Sequence, residues 1–247
     1  MLRLSLILPT YEEEELTRAL EKLSAAVMKL AGADAARPEV LVVDDSKPAV
    51  REKLEAWALA WNADPAHAEV RVLEGPHLGK GAAVKLGALQ SRGDIVFVMD
   101  ADLPIPLDRV KDFAERIEKG VDVVMGERPM SRNAGDPVRF VLSRGLFAFQ
   151  WMVVFQKSLF ADTQCGFKAF RGDVLRRMAG QQIVDGGMYD IEYLYMATLA
   201  GLSIERVQVV PNAEVRPSKI NVKRAMIRDP KDLFRLKWNG LMGRYRR

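Results

Sequence analysis

The sequence predicts an α/β fold: a central, mostly parallel sheet flanked by helices, with amphipathic helical segments toward the C-terminus. Three observations carry that expectation. Short apolar runs alternate with helix-length stretches through the first half of the chain, the pattern of strands buried on both faces. Each run is followed at once by a polar or glycine-rich loop, and open α/β sheets bind ligands at those loops. The chain has 247 residues and is 49% hydrophobic, enough for one packed core of this class.

Leu4-Ser5-Leu6-Ile7-Leu8 is the first expected strand. Residues 12–31 follow as a helix, with acidic residues at the end where the helix dipole favours negative charge. Val40-Leu41-Val42-Val43 is the second strand, with a helix over 49–61 behind it. Val70-Arg71-Val72-Leu73 is the third, then a glycine-rich turn and a helix over 82–91. Ile95-Val96-Phe97-Val98-Met99 is the fourth, followed by a helix over 108–119 and a fifth strand over 121–125. The second half is less regular: helices are expected near 138–158, 189–200 and 231–243, and strands near 166–171 and 204–210. With no internal repeat and no linker composition, one domain is expected over 1–247.

A formal net charge of +4 and 28% charged residues exclude a disordered chain. Mild basicity suits a phosphate-rich ligand or an anionic membrane surface, and no nucleic-acid recognition motif accompanies it. The single cysteine, Cys165, rules out an internal disulfide and points to a reducing cytosol. The apolar start ends at Pro9 and an acidic run, too early for a signal peptide. No stretch reaches the roughly 20 apolar residues of a membrane span. The expected location is therefore cytoplasmic, at most peripheral to a membrane.

The most informative motif is Asp100-Ala101-Asp102 at the end of the fourth strand. Residues i and i+2 of a strand share a face. Two carboxylates so placed offer hard oxygen ligands to Mg²⁺ or Mn²⁺, ions that commonly take phosphate oxygens as further ligands. Asp-x-Asp turns are common, so the motif gains weight from its neighbours: Pro9-Thr10-Tyr11-Glu12, Asp44-Asp45-Ser46-Lys47, residues 75–81 and Gly126-Glu127-Arg128 each follow a strand. The loop over 75–81 has Gly81 where a Walker A loop needs a hydroxyl, and the first strand lacks a dinucleotide fingerprint. Kinase, ATPase and NAD-dependent readings are disfavoured, and Lys80 reads as a cation near donor phosphates. His67 and His77, the two histidines, form no metal motif.

On these residues the chain resembles the family-2 glycosyltransferases of the GT-A (Rossmann-like) fold, most closely the dolichyl-phosphate glucosyltransferase branch. The likeness rests on Pro9-Thr10-Tyr11-Glu12, Val43-Asp44-Asp45-Ser46, Gly79-Lys80-Gly81-Ala82-Ala83-Val84 and Met99-Asp100-Ala101-Asp102. It continues in Asp162-Thr163-Gln164-Cys165-Gly166-Phe167-Lys168, Asp190-Ile191-Glu192 and Ser218-Lys219. The resemblance implies that Pro9, Tyr11, Glu12 and Asp44 or Asp45 hold a uridine, and that Lys80 lies near the diphosphate. It implies Asp100 and Asp102 as ligands of Mg²⁺ or Mn²⁺ and of the donor. Arg128 and Arg144 are implied to receive an acceptor phosphate, and Arg216, Ser218 and Lys219 to close over the donor phosphates. Residues 1–126 would form the nucleotide-sugar half, 127–218 the acceptor half and 219–247 a basic amphipathic tail. Pro104 stands where mannosyl relatives place a further metal-binding side chain.

The expected reaction is an inverting transfer of glucose from UDP-glucose to a polyprenyl or dolichyl phosphate. A phosphate monoester has a second pKa of about 6, so it is a nucleophile at neutral pH without a base and needs orienting arginines. Arg128, Arg132, Arg139 and Arg144 lie in one segment. A sugar-hydroxyl acceptor would instead need a base, with Asp162, Asp190 and Glu192 as candidates. GDP-mannose is the alternative donor, and a nucleotide-sugar or membrane-surface binding module the non-enzymatic reading. Membrane contact is expected at two places. Residues 146–155 are apolar nearly all round, which fits either a core helix or a lipid groove. Phe234, Trp238, Leu241 and Tyr245 form a stripe among Lys231, Arg235, Lys237, Arg244, Arg246 and Arg247, the pattern of an interfacial helix.

Overall fold

The computed structural model describes residues 2–13, 15–31, 36–129, 150–155, 162–212 and 222–245. Seven strands form one sheet: β1 (Leu4–Thr10), β2 (Glu39–Asp44), β3 (Glu69–Glu74), β4 (Ile95–Met99), β5 (Val123–Glu127), β6 (Phe167–Arg171) and β7 (Ile204–Gln208). Their spatial order is β3-β2-β1-β4-β6-β5-β7. The helices are α1 (Leu16–Ala31), α2 (Pro48–Asn62), α3 (Lys80–Gln90), α4 (Arg109–Glu118), α5 (Gly172–Gln181), α6 (Tyr189–Leu199) and α7 (Val222–Leu241), with a π-helical turn at Trp151–Phe155.

Side chains alternate along each strand, so the sheet feeds two cores. Leu4, Leu6 and Leu8 of β1 join the core that includes α1 and α4, whereas Ile7 points into the opposite core with α3, α5, α6 and α7. On α1 the buried residues Leu16, Leu20, Leu23 and Val27 recur every three or four positions, which puts them on one face. Each such side chain contributes about 1.5–3 kcal/mol when fully buried.

β6 decides where the site forms. It runs antiparallel to both β4 and β5, while the remaining ladders are parallel. Its N-terminal end therefore lies on the sheet edge where β1 to β5 have their C-terminal ends. That brings residues 162–166, far along the chain, beside Asp100.

The expected strands all form, with β5 two residues later than the sequence reading placed it, so Gly126 and Glu127 belong to the strand. α1 begins at Leu16 rather than residue 12, because Glu12 has a φ of 45°, outside the helical region. α5 was not anticipated, although Val174, Leu175, Met178 and Ala179 carry a helical period and are buried. α7 begins well before residue 231, where the sequence placed its start, and runs through Pro230. The helix expected near 138–158 falls mostly outside the described residues; within it, Val154 is buried and Met152 is 66% exposed.

Candidate active site

The polar loops converge at the C-terminal edge of the parallel strands. Thr10 at the end of β1 and Ser46 after β2 both donate to Asp44 Oδ1, at 2.8 and 2.7 Å. The backbone N–H of Glu12 donates to Ser46 Oγ at 2.6 Å. Asp44 is buried, and its Oδ2 has no hydrogen-bond partner. Asp45 Oδ1 accepts the backbone N–H of His77 at 2.8 Å, joining the third loop to the second. The structure thus separates the two aspartates: Asp44 is a buried bracket for two loops, and Asp45 faces the glycine-rich loop. Pro9 is partly buried in β1, and Tyr11 is 56% exposed at the rim.

Among the described residues three that are not glycine have positive φ: Glu12 (45°), His77 (55°) and Leu103 (46°). They follow β1, β3 and β4 in turn, so this backbone strain collects at the ligand edge, as it does at functional sites. Asn212, after β7, donates its N–H to Pro104 O at 2.7 Å and its side chain to Leu103 O at 3.2 Å. Arg216, Ser218 and Lys219 lie outside the described residues, as do Arg132, Arg139 and Arg144.

Asp100 and Asp102 stand at the end of β4. Lys80, the first residue of α3, donates its ammonium to Asp100 Oδ1 and lies 5.9 Å from the centre of the Tyr189 ring. Loss of solvation works against the Lys80 charge, but Asp100, Asp190 and Asp102 together raise its pKa above the ordinary lysine value. Asp102 is exposed at the rim; its pKa is pushed up by loss of solvation and by the charge of Asp100, with Lys80 opposing. Gly166 closes the other side of Asp100: a methyl there would overlap the carboxylate. Gly166→Ala is expected to displace Asp100 and lower turnover by on the order of 10²-fold, the usual cost of an ångström-scale misplacement. Turnover measured alongside thermal unfolding checks this, and a folded variant at wild-type rate would contradict it.

This donor set suits a hard divalent cation, and the Lys80 ammonium already marks a cation position on Asp100. Among the described residues no cluster of three or more His, Cys, Asp or Glu could hold a metal unaided. A cation at Asp100 and Asp102 would complete its shell with ligand oxygens and water.

On the other flank, Arg128 after β5 forms a two-point pair with Asp162, 2.6 Å from Nε to Oδ2 and 3.0 Å from Nη2 to Oδ1. Both side chains are mostly shielded. Burial opposes both charges, yet the pair holds Asp162 below the usual carboxylate range and Arg128 above its own. Beneath the site, Lys168 on β6 donates to Asp190 Oδ1 and to Cys165 O, each at 2.6 Å, with both side chains buried. Tyr189 also lies there, its hydroxyl buried. Burial first, then the charges of Asp190 and Asp100, raise its pKa well above the ordinary phenol value.

Glu192, a base candidate from the sequence, is fully buried. Its oxygens accept the N–H groups of Ile183 and Val184 at 2.9 Å and the Tyr245 hydroxyl at 2.7 Å. Burial raises its pKa against those bonds. Tyr245 is consequently turned inward, which corrects the expected four-residue stripe on α7. Phe234, Trp238 and Leu241 are exposed as expected, and Met242 joins them. Sequence reasoning gave no role to Lys168 or Tyr189. The available signal was a lone lysine inside the strand Phe167–Arg171, with Asp190 opening α6.

Residues 5–178 match the profile of Glycosyl transferase family 2. The chain belongs to that family. This glycosyltransferase is 27% identical over 256 residues to the dolichyl-phosphate beta-glucosyltransferase of Dictyostelium discoideum, covering 97% of this chain and 75% of the relative. It is 28% identical over 258 residues to that of Drosophila melanogaster, covering 99% and 77%. Against the human enzyme the figures are 27% over 261 residues, 99% and 78%. Among solved structures, glucosyl-3-phosphoglycerate synthase from Mycobacterium tuberculosis in complex with uridine-diphosphate superposes with a TM-score of 0.67 at 19% identity. That match covers 96% of this chain and 80% of the other. The same enzyme with Mn²⁺, UDP-glucose and phosphoglyceric acid gives 0.67 at 18% identity, again covering 96% and 80%. The family-2 glycosyltransferase described here therefore has the GT-A architecture that its sequence led us to expect.

Proposed function

We propose that the enzyme transfers glucose from UDP-glucose to the phosphate of a polyprenyl lipid such as dolichyl phosphate. One observation carries the acceptor class. The three acids that the sequence offers as a base for a hydroxyl acceptor are already engaged: Asp162 by Arg128, Asp190 by Lys168, and Glu192 by two N–H groups and Tyr245. A phosphate monoester, dianionic above about pH 6, needs no base. Similarity along the whole chain to dolichyl-phosphate glucosyltransferases supports the same reading.

In this mechanism Asp45 and the Pro9–Glu12 loop bind the uridine. Asp100 and Asp102 would hold Mg²⁺ or Mn²⁺, which would supply charge neutralisation for the departing UDP. Arg128, steered by Asp162, orients the acceptor phosphate. A phosphate oxygen attacks the anomeric carbon from the face opposite the leaving group, the bond from that carbon to the UDP oxygen breaks, and the configuration inverts. Arg144 and the Arg216, Ser218 and Lys219 segment would complete the two phosphate sites. Running UDP-glucose, UDP-galactose, UDP-N-acetylglucosamine and GDP-mannose in parallel with one polyprenyl phosphate tests the donor. UDP-glucose is expected to give the highest kcat/KM, with EDTA abolishing transfer. Preference for GDP-mannose would overturn the donor assignment.

The acceptor lives in a bilayer, and α7 offers a surface for one. Lys231, Phe234, Arg235, Trp238, Leu241, Met242 and Arg244 are exposed, whereas Leu233, Leu236, Asn239 and Gly240 pack inward. Met152 is exposed on the turn that α7 packs against through the Lys237 bond to Val154 O, 3.0 Å. Among the described residues no helix is long and apolar enough to cross a membrane. Burying one large apolar side chain is worth about 1.5–3 kcal/mol. Phe234→Ser with Trp238→Ser is therefore expected to weaken binding to anionic vesicles by more than about 100-fold. Unchanged co-sedimentation would contradict that face.

A further inference from the structure

Asp100 is claimed by two cations. Its Oδ1 holds the Lys80 ammonium, and Gly166 packs against the carboxylate so closely that a methyl would not fit. A divalent ion ligated by Asp100 would share the carboxylate with the Lys80 ammonium and be repelled by it. The ammonium has few other places to go within the protein. It sits over the Tyr189 ring. Asp190, the other inner acid, already carries Lys168 at 2.6 Å. Binding a metal alone would break the Lys80 pair and leave a partly shielded ammonium beside a divalent cation, both unfavourable. A nucleotide diphosphate removes both penalties, because its oxygens ligate the metal and give Lys80 a new anionic partner.

We infer that Lys80 is a placeholder cation: it neutralises Asp100 in the donor-free enzyme, and the diphosphate draws it away as the metal arrives, so metal and donor bind tightly only together. This rests on the donor-site reading above and adds a coupling between the two ligands. The coupling is reciprocal, and its usual range is about 5–150-fold. The two aspartates at the site also fall short of a self-sufficient metal cluster among the described residues.

The test is equilibrium binding of Mn²⁺, followed by calorimetry or by the EPR signal of free Mn²⁺, with no nucleotide, with UDP and with uridine. In the wild type, UDP is expected to tighten Mn²⁺ binding by about tenfold or more, and uridine to leave it unchanged. Lys80→Met is expected to bind Mn²⁺ alone more tightly than the wild type, to bind UDP more weakly and to lose most of the coupling. Lys80→Arg, which keeps the charge, is expected to keep it. If Lys80→Met binds Mn²⁺ no more tightly while wild-type UDP binding is normal, the placeholder role is wrong and the donor site stands. If the wild type binds no UDP in the presence of Mn²⁺, the donor-site reading fails and the inference with it.

Discussion

Asp102→Asn is expected to lower the transfer rate by about 10³-fold, the scale of losing one charge-stabilising group at a reacting centre, without lowering stability at neutral pH. Function and fold pull in opposite directions at this residue. Its pKa is raised by loss of solvation and by Asp100. The folded state therefore holds the proton to higher pH than the unfolded chain does, and stability falls as pH rises from the ordinary carboxylate value through the raised one. At pH 7 the ionised carboxylate is a cost to the fold, which removing the charge relieves. The pair of measurements is turnover under saturating Mn²⁺ and urea unfolding at pH 7. An inactive variant at least as stable as the wild type fits a carboxylate kept for ligand binding. Parallel loss of activity and stability would make Asp102 a structural residue.

Lys168→Met is expected to destabilise the protein by roughly 3–5 kcal/mol, because it strands a buried carboxylate. Lys168 and Asp190 are almost wholly shielded, and the ammonium is further bound by Cys165 O. For a chain of this size that corresponds to a fall in Tm of roughly 6–20 °C. The double variant Lys168→Met, Asp190→Leu is expected to recover much of the loss, since a buried ion pair replaced by apolar groups is often neutral. Chemical unfolding of the single and double variants checks this. A single variant within about 1 kcal/mol of the wild type would mean that water reaches Asp190.

The centre of the sheet was legible in the sequence because β2 and β4 are buried along their length and carry apolar runs: Ile95–Met99 was placed to the residue. The ligand edge was legible for the same reason, since each parallel strand hands over directly to a polar loop. The antiparallel insertion of β6 was not. A five-residue strand carries no mark of direction, and β6 is set by long-range pairing with Val98 and Met125. That antiparallel course brings Asp162 to Arg128, a partnership the sequence does not signal. The surroundings of Glu192 were not legible either: two backbone N–H groups and Tyr245, all outside its own helix, hold its carboxylate inside. Tyr245 follows the α7 stripe by spacing, but its hydroxyl finds a better partner inside.

Which group accepts the sugar can be read in one assay. Purified enzyme with labelled UDP-glucose and Mn²⁺ is offered a short polyprenyl phosphate, the matching unphosphorylated polyprenol, and a soluble phosphate such as phosphoglyceric acid. Metal-dependent label on the polyprenyl phosphate, and none on the polyprenol, is the expected result. Label on the polyprenol would require a base that the site does not present among its described residues. Label on the soluble phosphate alone would contradict a lipid acceptor.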